Sequence, residues 1–282
     1  MTLKPGLYIV STPIGNIRDI TFRAIETLTN SNIIICEDTR ISRKLLEKYQ
    51  ISVPLKVYND HSDIKDRDLI CSHIMQNKVV SLISDAGTPT ISDPGYKLVQ
   101  TILKHKLYFD IIPGVSSPIA ALTLSNMPSD KFYFAGFIPK TKLAKEHMFR
   151  SLITLNASLI FFESSNRILD SIEVALNIFG DNRIACVTRE LTKMHQESNS
   201  GTLLELRNRY SKNKIRGEIV LIISGQQIQN NEQNNNKIIE LIRLCLSEQL
   251  SAKTATKIAH MQFKNQFSKK DVYKIVNNIY IN

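Results

Sequence analysis

The 282-residue chain has only ten glycines and four cysteines, and each shortage excludes something. Neither the dinucleotide fingerprint GxGxxG nor the phosphate loop GxxxxGKS/T occurs, so nucleotide phosphates are not the obvious ligand. The cysteines, Cys36, Cys71, Cys186 and Cys245, form no CxxC pair and read as buried thiols in a reducing compartment. No HExxH occurs, and the tightest polar cluster, Asn59-Asp60-His61-Ser62-Asp63, has no second His or Cys nearby, so it reads as a solvated loop and no metal is expected. No apolar run approaches the roughly 20 residues that span a bilayer. The start, MTLKPGLYIVSTP, carries one Lys and a short apolar run ending in a turn, which reads as a first strand rather than a signal peptide. A cytoplasmic protein without a membrane partner is expected.

What is present is ordinary globular composition, 43% hydrophobic and 22% charged, with a formal charge of +10. That is enough for a sizeable core in two or three domains, and the positive excess favours a polyanionic partner. Strand-like runs lie at 7–10, 33–36, 79–83, 107–112, 132–136, 159–162, 184–188 and 219–223. Helical patterns fill most gaps: Ile20, Ala24 and Leu28 share a face, as do Ile168, Ile172, Ala175, Leu176 and Phe179, with Ser165 as N-cap and Gly180 as stop. Apolar strands joined through helices predict the α/β class and a largely parallel sheet covered on both faces. The domains are expected at 1–113 and 114–225, both α/β.

Gln226 to Asn236 is polar and low in complexity and reads as a linker. Residues 237–282 return to helical spacing, with Ser268-Lys-Lys-Asp271 as a capping box, and form a small helical module. Eight Lys and Arg against three Asp and Glu put half of the net charge there. An RNA-contacting module and a solubilising or dimerising appendage are even readings, because charge alone attracts without regard to sequence.

Three turns, each after a predicted strand, stand out: Ser11 to Asn16, Ser84 to Gly95, and Pro113 to Ser117. In a parallel sheet the C-terminal strand ends share one edge, where ligands bind. The turns hold no Lys or Arg, and their hydroxyls and backbone groups suit a neutral or zwitterionic ligand, such as a nucleoside with an amino-acid tail. Gly87 and Gly114 allow close backbone approach, and Asp85 can accept from a ribose hydroxyl or an ammonium. Gly and Pro also merely punctuate tight βα loops; three such turns together favour the pocket.

The runs LYIVSTPIGNIRDIT (7–21), CEDTRISRKLL (36–46), SLISDAGTPTISDPG (81–95), IIPGVSS (111–117), FAGFIPK (134–140), RELTKMHQE (189–197) and GEIVLII (217–223) resemble the ribosomal RNA small subunit methyltransferase I family, of the tetrapyrrole-methylase-like superfamily. The likeness runs in order through roughly residues 6–225. It implies two consecutive α/β domains of the tetrapyrrole methylase type, S-adenosyl-L-methionine as cofactor in the cleft between them, 2′-O-methylation of a cytidine ribose in the decoding region of 16S rRNA, and a homodimer. By the same resemblance the cofactor pocket includes Pro13, Ile14, Gly15, Asp85, Gly87, Thr88, Pro89, Ile91, Ser116 and Ser117, with Phe162, Leu191 and Gly217 from the second domain. Where the family has Tyr-Glu-Ala-Pro-His-Arg, this chain reads Phe162-Glu163-Ser164-Ser165-Asn166-Arg167, keeping Glu163 and Arg167 without the His. After Pro139 the family's Gly is missing, and positive charge is kept.

Methyl transfer to a ribose hydroxyl is helped by a positioned base. Candidates are Glu190 with Lys193, and the cluster after the second strand: Asp38 or Glu37 as base, with Arg40 gripping phosphate. The same carboxylates would equally serve a helix N-terminus. Phosphate contacts are expected from Arg43, Lys44, Lys140, Lys142, Lys145 and Arg150, and from tail lysines. Two rivals remain, a methylase of a small tetrapyrrole-type molecule and a non-catalytic RNA-binding ribosome-assembly factor. The substrate partner is otherwise 16S rRNA or the small ribosomal subunit.

Overall fold

The computed structural model describes residues 3–212, 215–226, 232–263 and 267–281. The chain forms two compact units, Met1–Gly225 and Gln226–Asn282; the expected boundary at 113/114 falls inside the first. That unit carries two five-stranded sheets. The first contains β1 (Gly6–Val10), β2 (Ile33–Cys36), β3 (Leu55–Val57), β4 (Val79–Ile83) and β5 (Phe109–Ile112) in the order β3-β2-β4-β1-β5. All four pairings are parallel.

Alternation along β1 explains how this sheet is covered. Leu7 and Ile9 face one core with Ile70, Ile74, Leu98 and Ile102 from helices α3 (Ile64–Met75) and α4 (Tyr96–Lys104). Tyr8 and Val10 face the other with Ala24, Leu28 and Leu46 from α1 (Phe22–Thr29) and α2 (Thr39–Lys48). Each such buried Leu or Ile contributes about 1.5–3 kcal/mol. The cluster 59–63 is a turn into α3: Asp63 accepts from the amides of Lys65 and Asp66, and Asp66 returns the bond in a capping box.

Helix α5 (Ser117–Ser125) leaves the first sheet and packs on the second, where Ala121 and Leu122 meet Ile160, Cys186, Val220 and Ile222. The second sheet contains β6 (Phe132–Phe137), β7 (Ser158–Ser164), β8 (Ile184–Arg189), β9 (Glu197–Thr202) and β10 (Glu218–Ile223), ordered β6-β7-β10-β8-β9. Only β6 and β7 pair in parallel; the other three pairings are antiparallel. The expected parallel sheet therefore holds for the first sheet alone. Strands β7 and β10 lie inside the second sheet with both faces covered, so their continuous apolar runs carry no mark of direction. Its opposite face is closed by α6 (Lys142–Leu152), α7 (Ile168–Phe179) and α8 (Leu203–Lys212) around Phe149, Phe161 and Leu221.

Gly180 ends α7 as expected, at φ +88°, its amide donating to the Leu176 carbonyl. The N-cap is Arg167 rather than Ser165, because Ser164 to Arg167 form a turn closed by the Arg167 amide on the Ser164 carbonyl.

In the second unit α9 (Glu232–Ser247), α10 (Ala252–Phe263) and α11 (Lys269–Ile281) enclose Ile238, Ile242, Ala259, Val272 and Val276. Ser268 and Asp271 form the expected capping box at α11. Of the stretch expected as a linker, 232–236 are the first helical residues of α9, since packing of Ile238 and Ile242 carries the helix a turn further back than side-chain polarity suggests; 227–231 lie outside the described residues.

Candidate active site

The three Gly- and Pro-bearing turns are tied to one another at the C-terminal edge of the first sheet. Thr12 and Gly87 exchange both backbone hydrogen bonds, at 2.8 and 3.1 Å. Ser11 Oγ and Thr88 Oγ1 lie 2.9 Å apart, and Thr88 Oγ1 donates to the Val115 carbonyl at 3.4 Å. Gly114 is required by the third contact: a Cβ there would stand 2.9 Å from that of Ser11. Gly87 has φ +81°, a conformation that glycine adopts without steric cost.

These turns form one wall of a cleft of about 420 Å³, within the roughly 300–1,000 Å³ of small-molecule sites. From the expected cofactor set, Ile14, Gly87, Thr88, Ile91, Ser116 and Ser117 line this wall, and Phe162, Leu191 and Gly217 line the wall built by the second sheet. Pro13, Gly15, Asp85 and Pro89 do not line it. Pro89 is buried behind it, Gly15 lies against Leu191 and Lys193, and Asp85 turns toward α2 to accept from the Asp38 amide at 3.2 Å. No Lys or Arg occurs among the described lining residues. Hydroxyls, backbone groups, two phenylalanines and three carboxylates remain, a donor set that fits a nucleoside bearing positive charge and not a polyphosphate.

Sequence reasoning missed Asp93, Phe137, Glu163 and Glu218, all on the cleft wall. Phe137 and Phe134 pack against Phe162 with ring centroids 5.2 and 4.9 Å away. The Glu163 carboxylate is buried: it pairs with Arg167 at 2.6 Å and accepts from Ser171 Oγ at 2.5 Å and the Ser164 amide at 2.7 Å. Survival of Glu163 and Arg167 in an otherwise altered motif was the available signal for that pair. Burial, followed by Asp85 and Asp60, pushes the Asp93 carboxyl up to about 6. It was one more acid in a turn to the sequence, because only folding brings those other carboxylates near it.

The acids named for proton abstraction divide by their contacts and surroundings, and none of Glu37, Asp38 and Glu190 is among the residues that line the cleft. Asp38 is the N-cap of α2, accepting from the Arg40 amide at 2.8 Å, and its carboxylate is paired with the Arg40 guanidinium at 2.6 Å. Those bonds hold it down at about 2, a poor proton acceptor, so the helix-end role is the one its contacts support. Glu37 is raised above the usual carboxylate range, by burial and then by Asp85 and Asp93. Glu190 accepts from the Glu218 amide at 2.9 Å and from Lys193 Nζ at 3.0 Å, and these hold its carboxyl low.

Among the expected phosphate contacts, Arg40, Arg43, Lys44, Lys140, Lys142 and Arg150 are exposed. Lys145 is a correction. It lies on the inner face of α6 with 0% of its surface exposed, and its ammonium is paired with Asp170 of α7, so it joins two helices and is closed to RNA.

Residues 6–207 match the model of the Tetrapyrrole (Corrin/Porphyrin) Methylases. The chain is 55% identical to the ribosomal RNA small subunit methyltransferase I of Rickettsia prowazekii over 98% of both chains, and 40% identical to that of Mesorhizobium japonicum over 92% of this chain and 88% of the relative. In fold it is similar to the methyltransferase CobJ (TM-score 0.60, 14% identity) and to uroporphyrin-III-C-methyltransferase from Thermus thermophilus (TM-score 0.57, 14% identity); each likeness covers 78% of this chain and 94% of the other. The chain belongs to the tetrapyrrole methylase family and, within it, to the ribosomal RNA small subunit methyltransferase I family.

Proposed function

We propose that this protein binds S-adenosyl-L-methionine in the cleft and methylates the ribose 2′-oxygen of a cytidine in the decoding region of 16S rRNA, acting in the cytoplasm as a homodimer. What carries the assignment is the near-full-length likeness to the ribosomal RNA small subunit methyltransferases I; the cation-free lining of the cleft agrees with it. The donor supplies a methyl group on a sulfonium, so one C–O bond forms as one S–C bond breaks and the positive charge on sulfur is lost.

The chain's own residues bind, orient and take a proton. Gly87 and Thr88 offer close backbone and a hydroxyl, while Phe162, Ile14 and Leu191 give apolar walls that exclude water. Asp93, on the cleft wall, places a carboxylate where a cationic ligand is favoured over its neutral product. Glu37 stands outside the lining residues, and its raised proton affinity, from burial and then from Asp85 and the cleft-wall Asp93, is what supports it over Asp38 as the group that takes the hydroxyl proton. Arg40, Arg43, Lys44, Lys140, Lys142 and Arg150 attract the RNA backbone.

The test is incubation of purified protein with methyl-labelled S-adenosylmethionine and small subunits from cells lacking the enzyme, followed by nuclease digestion and mass spectrometry. Label on one cytidine ribose is the expected result. Absence of label on subunits and on free rRNA, with the cofactor bound, points instead to a small-molecule methylase or an inactive RNA-binding factor. Light scattering at the mass of two chains is expected for the dimer, and the mass of one chain contradicts it.

A further inference from the structure

Two residues in the short segment between β8 and β9 occupy the left-handed region, Glu190 at φ +51° and Thr192 at φ +64°. For a β-branched threonine this is a genuine outlier, and such conformations persist only where the surroundings over-determine them. Here they do. The Glu190 amide donates to the Glu218 carbonyl at 3.0 Å, and the Glu190 carboxylate accepts from the Glu218 amide at 2.9 Å. Lys193 Nζ bridges the carboxylates of Glu190 and Glu218 at 3.0 and 2.8 Å, and the Thr192 amide donates to Gln196 Oε1 at 2.6 Å. The segment is thus anchored to β10 of the second sheet.

Its other side grips the first sheet. The Asn16 amide donates to Thr192 Oγ1 at 2.9 Å, across 176 residues of sequence. A Cβ on Gly15 would lie 2.6 Å from Lys193 Cγ and 2.8 Å from Thr192 Oγ1, so the two segments touch with no room between them. Leu191, between the two left-handed residues, packs in one cluster with Ile14, and both line the cleft.

We propose that Thr192 is a positioning residue for methyl transfer: its hydroxyl, held out by the left-handed backbone, fixes the Ile14-Gly15-Asn16 turn against Leu191 and so sets the spacing of the two cleft walls before ligand arrives. This rests on the cleft being the S-adenosylmethionine site. The strain is then the cost of aiming a hydroxyl at a turn on the other sheet.

Full-length Thr192→Gly, Thr192→Val and Thr192→Ser test it, with S-adenosylhomocysteine titrated by calorimetry, the melting temperature recorded, and KM for cofactor and for small subunits measured separately. Glycine is at ease at φ +64°, so Thr192→Gly folds with undiminished stability while losing the hydroxyl. The expected result is about tenfold weaker binding of S-adenosylhomocysteine and an equal rise in KM for cofactor in the Gly and Val variants, with KM for subunits unchanged and Thr192→Ser within about threefold of wild type. Wild-type affinity in Thr192→Gly overturns the proposal and leaves the cleft assignment standing. Failure of wild-type protein to bind S-adenosylhomocysteine overturns the cleft assignment and this proposal with it.

Discussion

Asp93 binds its proton more tightly in the folded chain than in the unfolded one, with its carboxyl pushed up to about 6 from an ordinary 3.8. The stability contributed by that proton is full below about pH 4 and lost as pH rises through about 6, because the folded state then holds a desolvated carboxylate beside others of its sign. Asp93→Asn is therefore expected to raise the melting temperature above about pH 7 and to flatten its decline between about pH 4 and 6, measured by thermal denaturation across that range. Glu37→Gln removes the proposed proton acceptor while leaving the cleft lining intact, so the rate of methylation should fall by about 100-fold or more. Calorimetry should find cofactor affinity unchanged, and full activity in this variant contradicts the role given to Glu37. The three turns were legible in the sequence because Gly, Pro and hydroxyl residues follow apolar runs. The difference in surroundings between Glu37 and Asp38 was not. Adjacent acids after a strand look alike until one of them is seen to cap a helix and bind Arg40.

Strands β1, β2 and β4 of the first sheet were readable almost to the residue, since parallel strands buried on both faces are continuous apolar runs bounded by turns. The exceptions are the strands at its edge and at the edge of the second sheet. β3 is three residues long, and β9 reads Glu-Ser-Asn-Ser-Gly-Thr, with polarity that sets it apart from every apolar run. The direction of β7, β8 and β10 was hidden because pairing sense is decided by connections, which residue composition does not record. At the end of β7 the buried Glu163 ties the strand to Arg167 and to Ser171 of α7. Glu163→Ala leaves the guanidinium and the Ser171 hydroxyl without their acceptor and is expected to cost about 3 kcal/mol, read from urea denaturation. A loss under about 0.5 kcal/mol contradicts the clamp.

On the scale of the whole molecule, a charge of +10 is distributed so that half lies in 237–282, while every residue lining the cleft lies within 1–225. Since each unit has its own apolar core, removal of 226–282 is expected to leave S-adenosylhomocysteine binding unchanged. RNA affinity should fall and its salt dependence should flatten, each lost phosphate contact reducing the logarithmic slope by about 0.7 on single-stranded RNA. An unchanged slope assigns the module to solubility or self-association, the reading that its charge left open. The ligand was legible only as a class, from turns without cations; S-adenosyl-L-methionine as cofactor follows from likeness to relatives and not from residue types, and the acceptor remains the proposed one. The most direct measurement is a crystal structure of the full chain grown with S-adenosylhomocysteine. The ligand is expected between the Gly87-Thr88 turn and the Phe162, Leu191 and Gly217 wall, with Asp93 beside it and Thr192 still bonded to Asn16. Ligand bound elsewhere on the chain, with this cleft open to solvent, would contradict it.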